Sequence, residues 1–330
     1  MHNQLTRIAI AESNTAPLGM GCWAIGGPFQ EGNTALGWGE VDDRESIRAI
    51  RAALDQGITF FDTADLYGAG HSEYVLSRAL CSRRSDAIIT TKFGFCFDEQ
   101  SREVTGQNLS PEYIKQACEA SLRRLNTDYI DLYLLHVDSE DTGTIPDVID
   151  TLEQLARQGK ILSYGWSTDS VSNASLMLPK KLCDAIEYRM NLADPAPDML
   201  SLCQQQSAVS LIRSPLAMGL LTGKRRQNAS SISTSDIRSG QLDWLGYYQN
   251  GQINPAIARR FESVRDIVTS HGRTPAQGAL AWLWALGEEI LPIPGFRTTR
   301  QVTENAGALE KGPLTEDQVS EINQILQQPL

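Results

Sequence analysis

No stretch of this chain is apolar for long enough to cross a bilayer, and its N-terminus lacks the order of segments that makes a signal peptide. Basic residues are in deficit. Lys and Arg number 29 against 40 Asp and Glu, and a net charge of −11 argues against nucleic acid as the main partner. An anionic cofactor would therefore need a local basic pocket. Cysteine is sparse and unpatterned: Cys22, Cys81, Cys96, Cys118, Cys183 and Cys203 form no C-x-x-C pair, and read as reduced thiols of a cytoplasmic protein. The four histidines, at 2, 71, 136 and 271, contain no i, i+4 pair, which argues against a zinc site. What remains is 330 residues with 41% hydrophobic content, long for one sandwich but ordinary for one large α/β barrel, so residues 1–330 are read as a single domain.

Eight short apolar runs read as strands: 20–23, 58–61, 87–91, 130–135, 161–166, 183–188, 208–212 and 290–293. Most are apolar throughout, as parallel strands covered on both faces should be. Helical patterns lie between them. Ile47, Ile50 and Leu54 form one stripe, stopped at Gly57. Ser110 and Pro111 open a second helix with Ile114, Cys118, Leu122 and Leu125 on its inner face. Ile145, Val148, Ile149, Leu152 and Leu155 form a third stripe, ended by Gly159. Thr274 with Gln277, and Thr315 with Gln318, are spaced as capping boxes. Strands alternating with helices mean a parallel sheet, and eight of each favour closure into a (β/α)8 TIM barrel. A doubly wound open sheet is the alternative, but no G-x-G-x-x-G follows the first strand. Residues 1–17 are expected to plug the barrel floor as a hairpin or to fray. The long segment Lys224–Gly251, between the last two strands, is read as a lid.

Chemistry gathers where the strands stop. Phe60-Phe61 ends in Asp62, with Tyr67 five residues on. Thr90-Thr91 ends in Lys92, and Leu134-Leu135 in His136. A barrel presents its reactive groups at these C-terminal strand ends. Singly, Lys92 reads as a solvated strand end and His136 as a core histidine. Together the four suit proton donation to a carbonyl as hydride arrives. A phenol is a weak acid near neutrality. An ammonium about 4 Å away, at a dielectric of about 20, would favour phenolate by about 4 kcal/mol, a lowering of up to about three pKa units. Asp62 would hold Lys92 charged, and His136 would orient the substrate oxygen.

With these residues in place, the chain resembles the aldo-keto reductase family from about Gly19 to Ala308. The matching pieces are Gly19-Met20-Gly21-Cys22-Trp23, Asp62 to Tyr67, Thr91-Lys92-Phe93-Gly94, Leu134-Leu135-His136 and Gly165-Trp166-Ser167-Thr168. Ser214-Pro215-Leu216-Ala217 with Gly223-Lys224 follows, then Pro294-Gly295 through Glu304-Asn305. The resemblance implies a (β/α)8 barrel that binds NADPH without a Rossmann fold and reduces an aldehyde or ketone, a small-molecule carbonyl substrate. It implies Tyr67 as general acid, supported by Asp62, Lys92 and His136.

Cofactor positions carry over from the same resemblance. Cys22, Trp23 and Asp62 would bind the cofactor, with Trp23, Tyr67 and His136 facing substrate. Ser167 and Thr168 stand where the family has a Ser-Asn pair on the nicotinamide amide, and Glu187 where it has glutamine. An ionised Glu187 could accept from that amide but not donate. Arg213 replaces a stacking aromatic ring. Ser214, Pro215, Leu216, Ala217 and Lys224 match the pyrophosphate clamp, with Arg225, Arg226 and Arg238 as further cations. Gly295 permits close backbone approach, Arg297 and Arg300 match the 2′-phosphate site, and Gln301, Glu304 and Asn305 the adenine side. Substrate choice is expected in Trp23, Phe95, Phe97 and the Trp244–Tyr248 segment. Two further readings stay open: an NAD(P)+-dependent dehydrogenase of an alcohol or sugar lactol, and a redox-sensing subunit like the potassium-channel β subunits. Oligomeric state stays open too.

Overall fold

The computed structural model describes residues 5–138, 142–223, 232–240, 242 and 245–327. Its centre is an eight-stranded sheet: β1 (Gly19–Gly21), β2 (Phe60–Asp62), β3 (Ile88–Phe93), β4 (Ile130–Leu135), β5 (Ile161–Ser167), β6 (Cys183–Arg189), β7 (Val209–Arg213) and β8 (Ile290–Pro292). Each strand is hydrogen-bonded to its neighbours in chain order, and every ladder is parallel. The Gly21 N–H donates to Pro294 O at 3.1 Å, and Gly21 bridges Gly295, which brings the first strand back to the last. A Cβ on Gly21 would stand 2.7 Å from Ile293 O, so this closure requires glycine. The expected barrel is the observed fold, with strand limits shifted by a few residues.

Among the described residues, ten α-helices lie outside the sheet: α1 (Asp43–Asp55), α2 (His71–Leu80), α3 (Pro111–Leu125), α4 (Ile145–Arg157), α5 (Val171–Met177), α6 (Pro197–Gln205), α7 (Pro255–Val268), α8 (Pro275–Trp284), α9 (Thr299–Lys311) and α10 (Glu316–Gln327). The expected caps form: Ser110 accepts from Tyr113 N, and both Thr274–Gln277 and Thr315–Gln318 make reciprocal capping bonds. No helix among the described residues is long and apolar enough to cross a membrane.

Alternation along the strands divides the core into two compartments. Tyr133 and Leu135 of β4 face the helices, whereas Leu132 and Leu134 join Phe60, Ile88, Val209, Leu211 and Leu291 inside the barrel. Ile8 and Ile10 complete that inner cluster. They come from an antiparallel hairpin, Ile8–Ile10 with Ser13–Thr15, anchored where Ala11 N donates to Asp184 Oδ2 at 2.8 Å. The hairpin therefore plugs the floor and leaves only the other end open.

That open end has a wall the sequence reading did not contain. Gln30–Glu31, Thr34–Ala35, Phe95–Asp98 and Glu103–Gln107 form a small four-stranded sheet from the loops after β1 and β3. Beneath it Phe29, Leu66 and Val104 pack with Trp23, Leu36, Phe95 and Phe97.

Candidate active site

Register aims the reactive side chains inward. Lys92 shares a rung with Leu134, and Glu187 shares one with Leu211 and Leu291, all three leucines being interior. Both polar groups therefore sit atop the apolar barrel filling. Lys92 is fully buried and Glu187 and Asp62 nearly so. The Lys92 ammonium donates to Asp62 Oδ1 at 2.5 Å, to Thr63 O at 3.0 Å and to the Tyr67 hydroxyl at 3.3 Å. Glu187 Oε2 lies 3.2 Å away as an ion pair. The Tyr67 ring stacks on Trp23, with centroids 5.9 Å apart, and meets His136 edge-on at 5.8 Å.

Burial alone would discharge Lys92, but Asp62 and Glu187 hold it charged well above the usual amine range. Burial, then Glu187, pushes the Asp62 carboxyl up against the pull of Lys92. Burial, then Lys92 and Arg213, drives His136 well below the ordinary imidazole range, so its ring is neutral at pH 7. Tyr67 departs from expectation. Its hydroxyl is pushed up, because burial together with the charges of Asp62 and Glu187 outweighs the pull of Lys92. Desolvation and the second carboxyl group reverse the direction that one neighbouring ammonium alone would give.

The Tyr67 loop is clamped by backbone packing. Gly68 has φ +64°, and a Cβ there would come 1.8 Å from Gly26 O in the segment after Trp23. Gly68→Ala is expected to cost about 1–3 kcal/mol and to displace Tyr67. A lower thermal midpoint and a reduced kcat check this; an unchanged pair of values would refute it.

A cleft of about 730 Å³ opens over these groups, and its lining includes Gln301, Glu304 and Asn305 in the N-terminal half of α9. Trp23, Asp62, Tyr67, His136, Ser167, Thr168, Glu187, Arg213, Ser214, Pro215 and Leu216 line one part, and Gly295, Arg297, Gln301, Glu304 and Asn305 the other. Lys92 stands behind Tyr67 rather than on the cleft surface. Cys22 and Ala217 are not brought to it: both are buried in the outer core, and the Cys22 thiol faces Met20 O. Lys224, Arg225, Arg226 and Trp244 lie outside the described residues. Tyr247 and Tyr248 are buried away from the cleft. Tyr247 accepts from Asn191 Nδ2 at 2.7 Å, and Tyr248 donates to Met218 O at 3.3 Å. They anchor the long loop, and its Ile237 and Arg238 line the cleft instead. Arg238 pairs with Asp236 and lies 4.6 Å over the Trp38 ring.

Several polar groups assigned to a ligand are already engaged. The Thr168 hydroxyl donates to Asp138 at 2.7 Å and accepts from Ser170 N, so it does not reproduce an asparagine amide. Arg213 is paired to Asp169 at 2.5 Å. Gln301 Oε1 caps its own helix with Thr298 and accepts from Arg297 N. The Arg297 guanidinium holds the carbonyls of Trp38 and Glu40, and Arg300 lies in an adjoining hollow. Asn305 differs: it is 3% exposed, and its Nδ2 has no partner among the described residues.

Residues the sequence reading missed include Leu36, Trp38, Val104 and Asp138 on the cleft. Leu36, Trp38 and Asp138 lie on loops and Val104 on a five-residue strand, too short to carry a period, so no signal in the sequence marks them.

The Aldo/keto reductase family model matches residues 17–327. The chain belongs to the aldo-keto reductase family. A probable aldo-keto reductase 1 from Glycine max is 31% identical over 88% of this chain and 80% of its own length. Aldo-keto reductase yakc of Schizosaccharomyces pombe is 29% identical over 94% and 89%. Among solved structures, a glycerol dehydrogenase from Gluconobacter oxydans superposes with a TM-score of 0.82 at 28% identity, covering 98% of this chain and 97% of its own. The holo form of a Bacillus halodurans aldo-keto reductase gives 0.77 at 26%, covering 98% and 96%. In this aldo-keto reductase Thr168, Glu187 and Arg213 all line the cleft.

Proposed function

We propose that the protein reduces the carbonyl group of a small aldehyde or ketone with NADPH, Tyr67 giving up the proton. The observation that carries this reading is the Tyr67 hydroxyl, 3.3 Å from a buried ammonium at the edge of an open cleft. The yakc relative is named for NADP(+), which supports the choice of cofactor.

The residues present fit such a group. The cleft is lined from Tyr67 to Asn305, whose buried amide Nδ2 no described residue satisfies. Between Ser214 and Gly219 the backbone takes left-handed angles at Ser214, Ala217, Met218 and Gly219, strain of the kind found where main chain is shaped for a ligand. Ser167 and Glu187 would hold the nicotinamide end, Ser214 to Leu216 the phosphates, and Arg297, Glu304 and Asn305 the adenosine end. When bound, NADPH supplies the hydride.

The chain's own residues supply the proton and its path. Tyr67 would protonate the carbonyl oxygen, and Lys92, hydrogen-bonded to that hydroxyl, would stabilise the phenolate left behind. Neutral His136 would donate to the same oxygen and orient it. Trp23, Leu36, Trp38 and Phe95 make the substrate side apolar and largely aromatic, and would exclude water from the reaction.

A screen of aldehydes and ketones followed by NADPH absorbance, with NADH alongside, tests the proposal. Turnover is expected with NADPH; none on any carbonyl would overturn it. The likeness to a glycerol dehydrogenase favours a second reading, oxidation of a polyol. Comparing kcat/KM in the two directions at neutral pH separates them.

A further inference from the structure

Four acceptors crowd a cation that carries three hydrogens. An ammonium has three N–H donors. Lys92 aligns them on Asp62, Thr63 O and Tyr67, which leaves Glu187 Oε2 as a 3.2 Å ion pair outside hydrogen-bond geometry. The other Glu187 oxygen accepts from Ser167 Oγ at 3.0 Å, which fixes the carboxylate in place. Glu187 is 1% exposed, so water does little to screen its pull on Lys92.

The surrounding charges do not cancel it. Cys22, beside β1, has its thiol pushed up by burial and stays neutral. Asp62 closes β2, and Tyr67 follows it. His136, after β4, is neutral. Arg213, at the end of β7, is tied to Asp169. One buried cation therefore faces two carboxyl groups and a phenol, with the buried Asp65 carboxyl, itself pushed up by burial, also acting on it.

We propose that Glu187 is a positioning residue that competes with Tyr67 for the Lys92 ammonium, so that the phenol holds its proton more firmly than Asp62 and Lys92 alone would make it. This rests on Tyr67 as the proton donor. Glutamine at this position keeps the shape and the acceptor for Ser167 but removes the charge. Lys92 is then released toward Tyr67, and the phenol ionises more readily. Carbonyl reduction needs the phenol protonated, so its rate falls as pH rises through the phenol pKa. Alcohol oxidation needs phenolate, so its rate rises there. Lowering that pKa moves both limbs toward lower pH.

The test is Glu187→Gln, read in two ways. In cofactor-free protein, phenolate absorbance is titrated for Glu187→Gln with and without Tyr67→Phe, and likewise for the wild type. Each difference isolates Tyr67 among nine tyrosines. The Tyr67 transition is expected about one pH unit or more lower in the glutamine variant. In turnover, the alkaline limb of kcat/KM for reduction should move by the same amount and in the same direction. NADPH affinity, read by fluorescence alongside, separates an effect on the cofactor from one on the phenol. If neither the transition nor the limb moves in folded Glu187→Gln, the inference is overturned. Loss of NADPH binding with an unmoved phenol transition overturns it as well, assigning Glu187 to the cofactor alone. Glu187→Met, uncharged and of similar length, makes the same comparison if the glutamine variant does not fold. A wild type without turnover would refute the proposed reduction, while the absorbance titration would still decide the competition for Lys92.

Discussion

Replacing Tyr67 with phenylalanine is expected to lower kcat for carbonyl reduction by about 10²–10⁴-fold, the range a positioned general acid contributes. The ring remains, so its stacking on Trp23 at 5.9 Å and its edge contact with His136 survive. Lys92 loses one of three hydrogen-bond acceptors and keeps the two oxygens of Asp62 and Thr63. Stability and NADPH affinity should therefore change little. Steady-state kinetics beside a cofactor fluorescence titration distinguishes a lost acid from a damaged site. Wild-type kcat in the phenylalanine variant would mean that the proton comes from elsewhere.

Lys92→Met should be the most damaging change for the fold as well as for turnover. It leaves Asp62 and Glu187 buried beside one another without their shared cation. Breaking a buried pair from one side costs about 3–5 kcal/mol, and here two partners are stranded. The loss should be greatest at high pH and shrink as pH falls, because a proton on Asp62, whose carboxyl burial pushes up, removes an unpaired buried charge. Denaturant midpoints for wild type and variant at two pH values check the size and the sign. Equal stability at neutral pH would mean that the two carboxylates do not depend on Lys92.

Asp62, Lys92 and His136 could be found in the sequence because each ends an apolar run, and such runs in a βα repeat can only be strands buried on both faces. Tyr67 was legible by its distance from the first of these ends. The relation between Glu187 and Lys92 was not legible. The two lie on strands far apart in the barrel, and their 3.2 Å approach comes from both facing inward at one level. The expected acidification of Tyr67 failed for that reason and because burial opposes a phenolate. The wall at the mouth was hidden differently. Its strands are two to five residues long and partly polar, too short to carry a period. Tyr247 and Tyr248 looked like lid aromatics, but aromatic rings in a loop pack inward or outward according to what lies beneath them.

The sequence by itself determined the barrel, its order of strands and the four groups at the rim, because alternation and capping are local and repeat eight times. Tertiary structure alone decided how those groups share charge. Whether an ammonium serves a phenol or a second carboxylate depends on ångström distances and on exclusion of water, and neither is written in the spacing of residues along a chain.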